Sequence, residues 1–226
     1  MKKTFLTSML ACIALAWPCN MLADNVYTIY PVPQEQIKVN ENPWWDGGKY
    51  EVVCEEGIDR ATKVRLLNIL FASGAAAPGW DAPTDFDALV DAIPTKATGT
   101  QWPVIYLGIN GSGGAADVKA TKKGLSRDIF TLEGKYDRHL LSISNSGDEY
   151  NSADFIILGE HTDAVFHGLA SLEQIFEQRE SADKIQAVTI YDYADQQSRG
   201  LVEGYYGYPY TIAVKKDLMR FMMRTI

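Results

Sequence analysis

Short apolar runs typical of strands alternate with longer runs typical of helices along this chain, and this alternation limits the possible folds most. The clearest strand patterns are Pro103–Ile109, Leu140–Asn145 and Phe155–Leu158. Two longer segments, Ala61–Ala72 and Thr162–Gln178, place their apolar residues on one helix face. The pattern predicts an α/β fold with layered elements, in which helices pack on a small mixed β-sheet, and favours it over a β-sandwich or a helical bundle.

Weaker patterns complete this outline. Asp59 is a candidate N-cap for the helix that follows it, and Asp192–Gln197 is interpreted as a polar linker, which places a domain boundary near Asp195. The remaining predictions are an extended segment at Val26–Pro33, strands at Lys49–Cys54 and Ile185–Ile190, a short helix at Phe86–Ala92 and a last helix at Val214–Thr225.

Composition excludes one class of partner. The 226 residues include 29 acidic and 21 basic side chains, which give a formal net charge of −8 and a pI near 4.9. A chain of this charge repels phosphate backbones, so we expect no nucleic-acid partner. The hydrophobic fraction of 46% is sufficient for a buried core.

The first 23 residues have the pattern of a secretory signal peptide. Lys2 and Lys3 precede an apolar run at Phe5–Trp17, and Met21–Ala23 is a candidate cleavage site before Asp24. We therefore expect residues 1–23 to be removed and the protein to be exported to the periplasm, the cell envelope or the medium, with no membrane span afterwards. An uncleaved anchor is the alternative.

Two of the three cysteines, Cys12 and Cys19, lie inside this signal-like segment. Cys12 also leaves open a lipoprotein cleavage site. Cys54 ends an apolar strand pattern with no histidine near it in sequence, so it is predicted to be a buried thiol rather than a nucleophile.

The polar residues give no convincing catalytic constellation. His161 and His167 are six residues apart without a glutamate motif, and His139 is remote from both, so we predict no metal site and no cofactor. Surface or helix-packing positions explain the three histidines.

Paired carboxylates could cleave a glycosidic bond, but the candidates look solvated. Glu55 and Glu56 follow a strand and precede a glycine, which predicts an exposed turn. Asp192 and Asp195 lie in the predicted linker. The glycine-rich turn Asn110–Gly114 lacks the spacing and the lysine of a P-loop, and is interpreted as a flexible connector.

Tyrosines and glycines concentrate in the segment Gly204–Tyr210. Aromatic rings stack on sugar rings, and glycines let a ligand approach the backbone, so the cluster could bind carbohydrate. A packed aromatic core at a domain interface explains the same residues equally well.

The segment Arg199–Tyr210 resembles the first barrel strand of glycoside hydrolase family 84. These β-N-acetylglucosaminidases include O-GlcNAcases and bacterial enzymes once called hyaluronidases. The family pattern is Arg-Gly, two hydrophobic residues, then Glu-Gly-Phe-Tyr-Gly-x-Pro-Trp, and this chain has Tyr205 for the Phe and Tyr210 for the Trp.

The preceding region is similar to the small α/β domain before the barrel in this family and in related hexosaminidases. Ile29–Gln34, Val104–Gly108 and Ala164–Gln174 carry that similarity. After the signal at 1–23, it implies an N-terminal α/β domain at 24–195 and the first strand and helix of an incomplete TIM barrel at 196–226.

The resemblance also implies site residues and a mechanism. Gly204 matches a glycine whose backbone contacts a hydroxyl of bound N-acetylglucosamine, and Tyr206 matches a tyrosine that lines the pocket. The family's two adjacent catalytic aspartates, one of them the general acid and base, have no counterpart, since no Asp-Asp pair occurs here.

The implied full-length activity is therefore hydrolysis of terminal β-linked N-acetylglucosamine from glycans or glycoproteins, with retention and substrate assistance. We expect this chain itself to be inactive. The alternative is a non-catalytic module that binds carbohydrate or protein.

Overall fold

The structure is a computed structural model that describes residues 26–41, 48–74, 85–99, 101–147, 153–179, 185–200 and 210–225. The signal-like segment and the two predicted site residues, Gly204 and Tyr206, lie outside these ranges. The described strands are β1 Glu35–Lys38, β2 Glu51–Cys54, β3 Val104–Ile109, β4 Tyr136–Asn145, β5 Ala153–Gly159 and β6 Val188–Ala194. The helices are α1 Arg60–Ala72, α2 Phe86–Asp91, α3 Ala115–Lys122, α4 Thr162–Gln178 and α5 Ile212–Thr225, with a 3-10 turn at Asp128–Thr131.

The six strands form one mixed sheet in the order β1-β6-β4-β5-β3-β2. Strands β2, β3 and β5 are parallel neighbours, with Val104 opposite Asp154 in the β3–β5 pair. Strand β4 is antiparallel to β5 and β6, and β1 is antiparallel to β6. The predicted α/β fold with a small mixed sheet is therefore confirmed.

Helices cover both faces of the sheet, which explains why β3 is apolar along its whole length. Ile105 and Leu107 of β3 belong to the core that includes residues of α1 and α4, while Tyr106 packs with Ala116 and Ala120 of α3. Because neighbouring side chains on a strand point to opposite faces, one short strand contributes to both cores.

Most predicted elements are present, and the differences lie in weakly apolar segments. Strand β1 and helix α3 were missed, because each buries few apolar residues. The prediction of a linker from Asp192 was wrong: β6 continues to Ala194, and Asp192 lies opposite His139 of β4. Val26–Pro33, predicted only as an extended segment, precedes β1 and is not part of the sheet.

Cys54 is fully buried at the end of β2, as predicted, and burial raises the pKa of its thiol to about 12. A thiol with so high a pKa is a poor nucleophile at neutral pH. Within the described residues, no helix has the length and apolar character needed to cross a bilayer.

The C-terminal helix α5 is attached to the domain by polar contacts. The buried guanidinium of Arg65 donates a hydrogen bond of 2.6 Å to the carbonyl of Met223, and Arg224 donates one of 2.6 Å to Glu177. Other side chains of α5 are exposed to solvent, among them Ile212, which is 75% exposed, and Phe221, which is 58% exposed.

Candidate functional site

The segment that carries the predicted site begins at Arg199, which the structure describes. Its guanidinium donates a hydrogen bond of 2.7 Å to the carboxylate of Asp137 on β4. Gly204 and Tyr206 follow in a part of the chain outside the described residues, so their geometry is not part of the site described below.

Asp137 is the centre of a polar cluster at the edge of the sheet where the parallel strands end. His161 and His167 each place Nε2 at 3.8 Å from an Asp137 carboxylate oxygen. His139 lies two residues further along β4 and contacts the Asp137 carbonyl, so all three histidines of the chain contact the same residue. The sequence had suggested no relationship among them.

The backbone of Asp137 is unusual. Its φ is +52°, and among the described residues it alone has a positive φ without being glycine. The residue lies where the β4–β6 register shifts between Tyr136 and His139. Irregularities of this kind redirect a side chain away from the normal alternation of a strand.

Contacts on both sides fix this irregularity. The next residue, Arg138, donates from Nε to Glu160 at 2.9 Å, and its backbone N–H donates to the same carboxylate at 3.0 Å. His139 Nδ1 lies 2.7 Å from the Asp137 carbonyl. A carbonyl can only accept, so Nδ1 is the donor in this hydrogen bond.

His139 is only 4% exposed, and its Nε2 has no hydrogen-bond partner among the described residues. The ring fits beneath α4 because position 168 is glycine: a Cβ there would lie 3.1 Å from the His139 ring and 2.9 Å from Ile157. Across the β4–β6 ladder, the carboxylate of Asp192 accepts hydrogen bonds from the backbone N–H of Gln34 and Tyr193.

Burial shifts the pKa of two groups in the cluster, His167 and Asp192. Desolvation lowers the pKa of His167 to about 4, although the nearby Asp137 opposes the shift. Desolvation raises the pKa of Asp192, against the opposing influence of His139. Both groups are therefore biased toward their neutral forms.

A cavity of about 120 Å³ opens beside the cluster, between residues 29–34, α4 and α5. Within the described ranges, no group of three or more histidine, cysteine or acidic side chains is arranged to hold a metal ion. The described cluster forms an ion-pair network in which Asp137 holds Arg199. The residues that line the cavity include Tyr30, Gln174, His139, His167, Asp192 and Arg199.

The other predicted carboxylates are not brought together as pairs. Glu55 is 5% exposed whereas Glu56 is exposed, so the prediction of a solvated Glu55-Glu56 turn is wrong for Glu55. Asp195 is exposed and pairs with Lys135, away from the half-buried Asp192.

Glu55 fills the glycine-rich turn that was interpreted as a flexible connector. Its carboxylate accepts hydrogen bonds from the backbone N–H groups of Ile109, Ala116 and Asp117 and from the Ser112 hydroxyl, at 2.6 to 3.2 Å. A Cβ at Gly114 would lie 2.2 Å from that carboxyl group. The turn is thus an ordered anion cradle at the start of α3, and an internal carboxylate occupies it.

Asp137 was not singled out from the sequence. An aspartate with a left-handed backbone conformation inside a strand has no characteristic sequence pattern. The partners of Asp137 come from β4, α4 and residue 199. The one available signal was Arg199 at the head of the family motif, since a half-buried arginine requires an anionic partner.

Comparison with solved structures gives significant similarity to glycoside hydrolases. CpGH84D is 34% identical over an alignment that covers 86% of this chain and 28% of that one, with a TM-score of 0.66. This chain therefore spans less than a third of that relative's length. The resemblance to family 84, read from the sequence, is confirmed for an N-terminal portion of a glycoside hydrolase.

Two further structures share lower similarity. An inactive mutant of the GH20 exo-β-N-acetylglucosaminidase from Vibrio harveyi is 14% identical, with 75% of this chain and 19% of that one covered and a TM-score of 0.41. A Flavobacterium johnsoniae chitobiase is 15% identical, with coverages of 74% and 21% and a TM-score of 0.40. No protein-family model and no curated protein matches the chain.

Proposed function

Taking the chain as the N-terminal portion of a family 84 glycoside hydrolase, we propose that it is the leading part of an exported β-N-acetylglucosaminidase. Its substrates are terminal β-linked N-acetylglucosamine residues on glycans or glycoproteins. The observation that carries the proposal is the 34% identity to CpGH84D across 86% of this chain, together with a TM-score of 0.66.

Within such an enzyme, the residues of this chain bind and position rather than transfer protons. Residues 24–195 form the N-terminal domain, and 196–226 begin the barrel. The Gly204 backbone contacts a sugar hydroxyl and Tyr206 lines the pocket. The family's two aspartates, one the general acid and base and the other orienting the acetamido group of the substrate, have no counterpart in this chain, which contains no adjacent aspartates.

Contacts in the described residues support this division. Arg199 is paired with Asp137, and the carbonyl of Met223 accepts a hydrogen bond from Arg65. Strand β6 is therefore followed by two attachments to the domain. One is at Arg199 and the other is at helix α5. A barrel that begins here would have its start fixed by the domain.

Activity provides the test. We expect the purified 226-residue chain to release no aryl alcohol from an aryl N-acetyl-β-glucosaminide, because loss of general acid–base assistance alone costs about 10²- to 10⁴-fold. A protein extended through the downstream coding sequence should hydrolyse it. The matched aryl β-glucoside, which lacks the acetamido group, should remain intact with both proteins.

Other results would contradict the proposal. Turnover by the 226-residue chain that disappears on Asp192→Asn or Asp195→Asn would show that the catalytic carboxylates lie in this chain. An extended protein that binds N-acetylglucosamine without hydrolysing either substrate would favour a binding module.

Export is tested separately. Mass spectrometry of the protein from the cell envelope or the medium should find Asp24 at the N-terminus, as cleavage after Ala23 requires. Intact Met1 in the cytoplasmic fraction would contradict export.

A further inference from the structure

We propose that Asp137 is a positioning residue, whose left-handed backbone aims its carboxylate at Arg199 and so fixes Arg199 at the edge of β4, five residues before Gly204 in the sequence. The inference deepens the proposed function, on which the roles of Gly204 and Tyr206 rest. The Asp137–Arg199 contact itself is independent of that function.

The backbone of Asp137 is the first argument. Aspartate tolerates a positive φ better than most residues, but the conformation remains uncommon away from glycine. At +52°, within a register shift between β4 and β6, Asp137 departs from the alternation that strands impose. Backbone strain that surrounding contacts maintain is a recurrent property of residues that position a functional group.

The surrounding contacts are the second argument. Glu160 holds Arg138 through its side chain and its backbone, and the buried ring of His139 donates to the Asp137 carbonyl at 2.7 Å. With the backbone held in this way, the Asp137 carboxylate faces Arg199 at 2.7 Å and lies 3.8 Å from Nε2 of both His161 and His167. The bond to Arg199 is charge-assisted and 2.7 Å long, and the Asp137 and Arg199 side chains are 18% and 28% exposed.

The position of Arg199 is the third argument. Asp195, four residues earlier, is already exposed, so the chain has left the sheet by that point. A half-buried ion pair at residue 199 brings it back to the edge of β4 just before Gly200. Such a contact fixes the position of residue 199 relative to β4.

Trypsin reports directly on this contact, since cleavage of the Arg199–Gly200 bond requires the guanidinium to leave Asp137 and occupy the protease pocket. Asp137→Asn keeps the side-chain shape and tolerates a positive φ, but removes the charge. We expect the rate of cleavage at this bond, followed by mass spectrometry, to rise about two- to tenfold, as for loss of a partly buried ion pair. The thermal midpoint should change little.

Two companion variants separate positioning from a structural turn. Asp137→Gly relieves the backbone and removes the carboxylate, so it should accelerate cleavage as Asp137→Asn does. Were Asp137 only a turn residue, glycine would serve as well and cleavage would stay at the wild-type rate. Asp195→Asn removes an exposed carboxylate near the same bond and should leave cleavage unchanged.

The extended protein provides the functional readout. Asp137→Asn should raise KM and lower kcat for the aryl N-acetyl-β-glucosaminide, without lowering the thermal midpoint. Wild-type cleavage and wild-type kinetics in this variant would overturn the inference. An extended protein that is inactive before mutation, with cleavage still accelerated by Asp137→Asn, would overturn the proposed function and leave the contact with Arg199 established.

Discussion

The side-chain amide of Gln174 on α4 makes two hydrogen bonds with the backbone of Tyr30. It accepts from the Tyr30 N–H and donates to the Tyr30 carbonyl, both at 2.9 Å. One helical turn later, Gln178 does the same for Thr28, at 2.9 and 2.7 Å. Two glutamines thus provide the pairing that a neighbouring strand would otherwise give, and they attach Thr28 and Tyr30 to α4 although neither residue belongs to the sheet.

Replacing Gln174 should loosen this leading segment. Gln174→Met keeps the length of the side chain and loses both hydrogen bonds to Tyr30, so we expect a loss of roughly 1–2 kcal/mol in the free energy of unfolding. Chemical denaturation measures it. Gln197→Met, at an exposed position after β6, is the matched control and should change stability little.

Glu55 should be essential to the stability of the turn before α3. Glu55→Gln keeps the shape but presents an NH₂ group to backbone donors, and we expect a loss of roughly 2–3 kcal/mol, as for hydrogen bonds to a charged group. The neighbouring Glu56→Gln changes an exposed carboxylate and should be nearly silent. Equal midpoints for the two variants in urea would contradict the role of Glu55.

His167 should make stability depend on pH. Its pKa falls from 6.5 to about 4 because burial disfavours the charged ring, against the attraction of Asp137 and with the repulsion of Arg199, His139 and Arg65. The unfolded chain therefore binds more protons between these values. Stability is full above about pH 6.5 and declines as the pH falls toward 4, by up to roughly 3 kcal/mol.

Variants at two histidines test this assignment. His167→Gln should flatten the decline in unfolding free energy between pH 6.5 and 4. His161→Gln alters a ring that is 49% exposed beside the same Asp137, and should preserve most of the decline. The assignment to His167 is wrong if the slope persists in His167→Gln.

Helix α5 should promote self-association. Ile212, Met219 and Phe221 are exposed at 75%, 57% and 58%, and apolar patches of this kind drive association. A chain that ends at Gln196 should therefore be more soluble and more monodisperse in light scattering than the 226-residue chain. Phe221→Glu in the full chain should shift it in the same direction, and equal behaviour of all three would contradict the prediction.

Sequence periodicity alone determined the elements that bury many apolar residues. Helix α4 was predicted with its observed bounds, because Val165, Leu169 and Leu172 recur at helical spacing and all become buried. Strand β5 was predicted from a continuous apolar run, and the motif from Arg199 led to the family. Such signals are local, so they can be read before any long-range contact is known.

Only the tertiary structure decided the polar features. Glu55 reads as a turn residue, yet it is buried because backbone N–H groups from β3 and α3 converge on its carboxylate. Asp137 carries no local signal at all: its partners at positions 161, 167 and 199 are brought together by the sheet edge. Burying a charge is favourable only where distant groups compensate it, and the distances between those groups exist only in the folded chain.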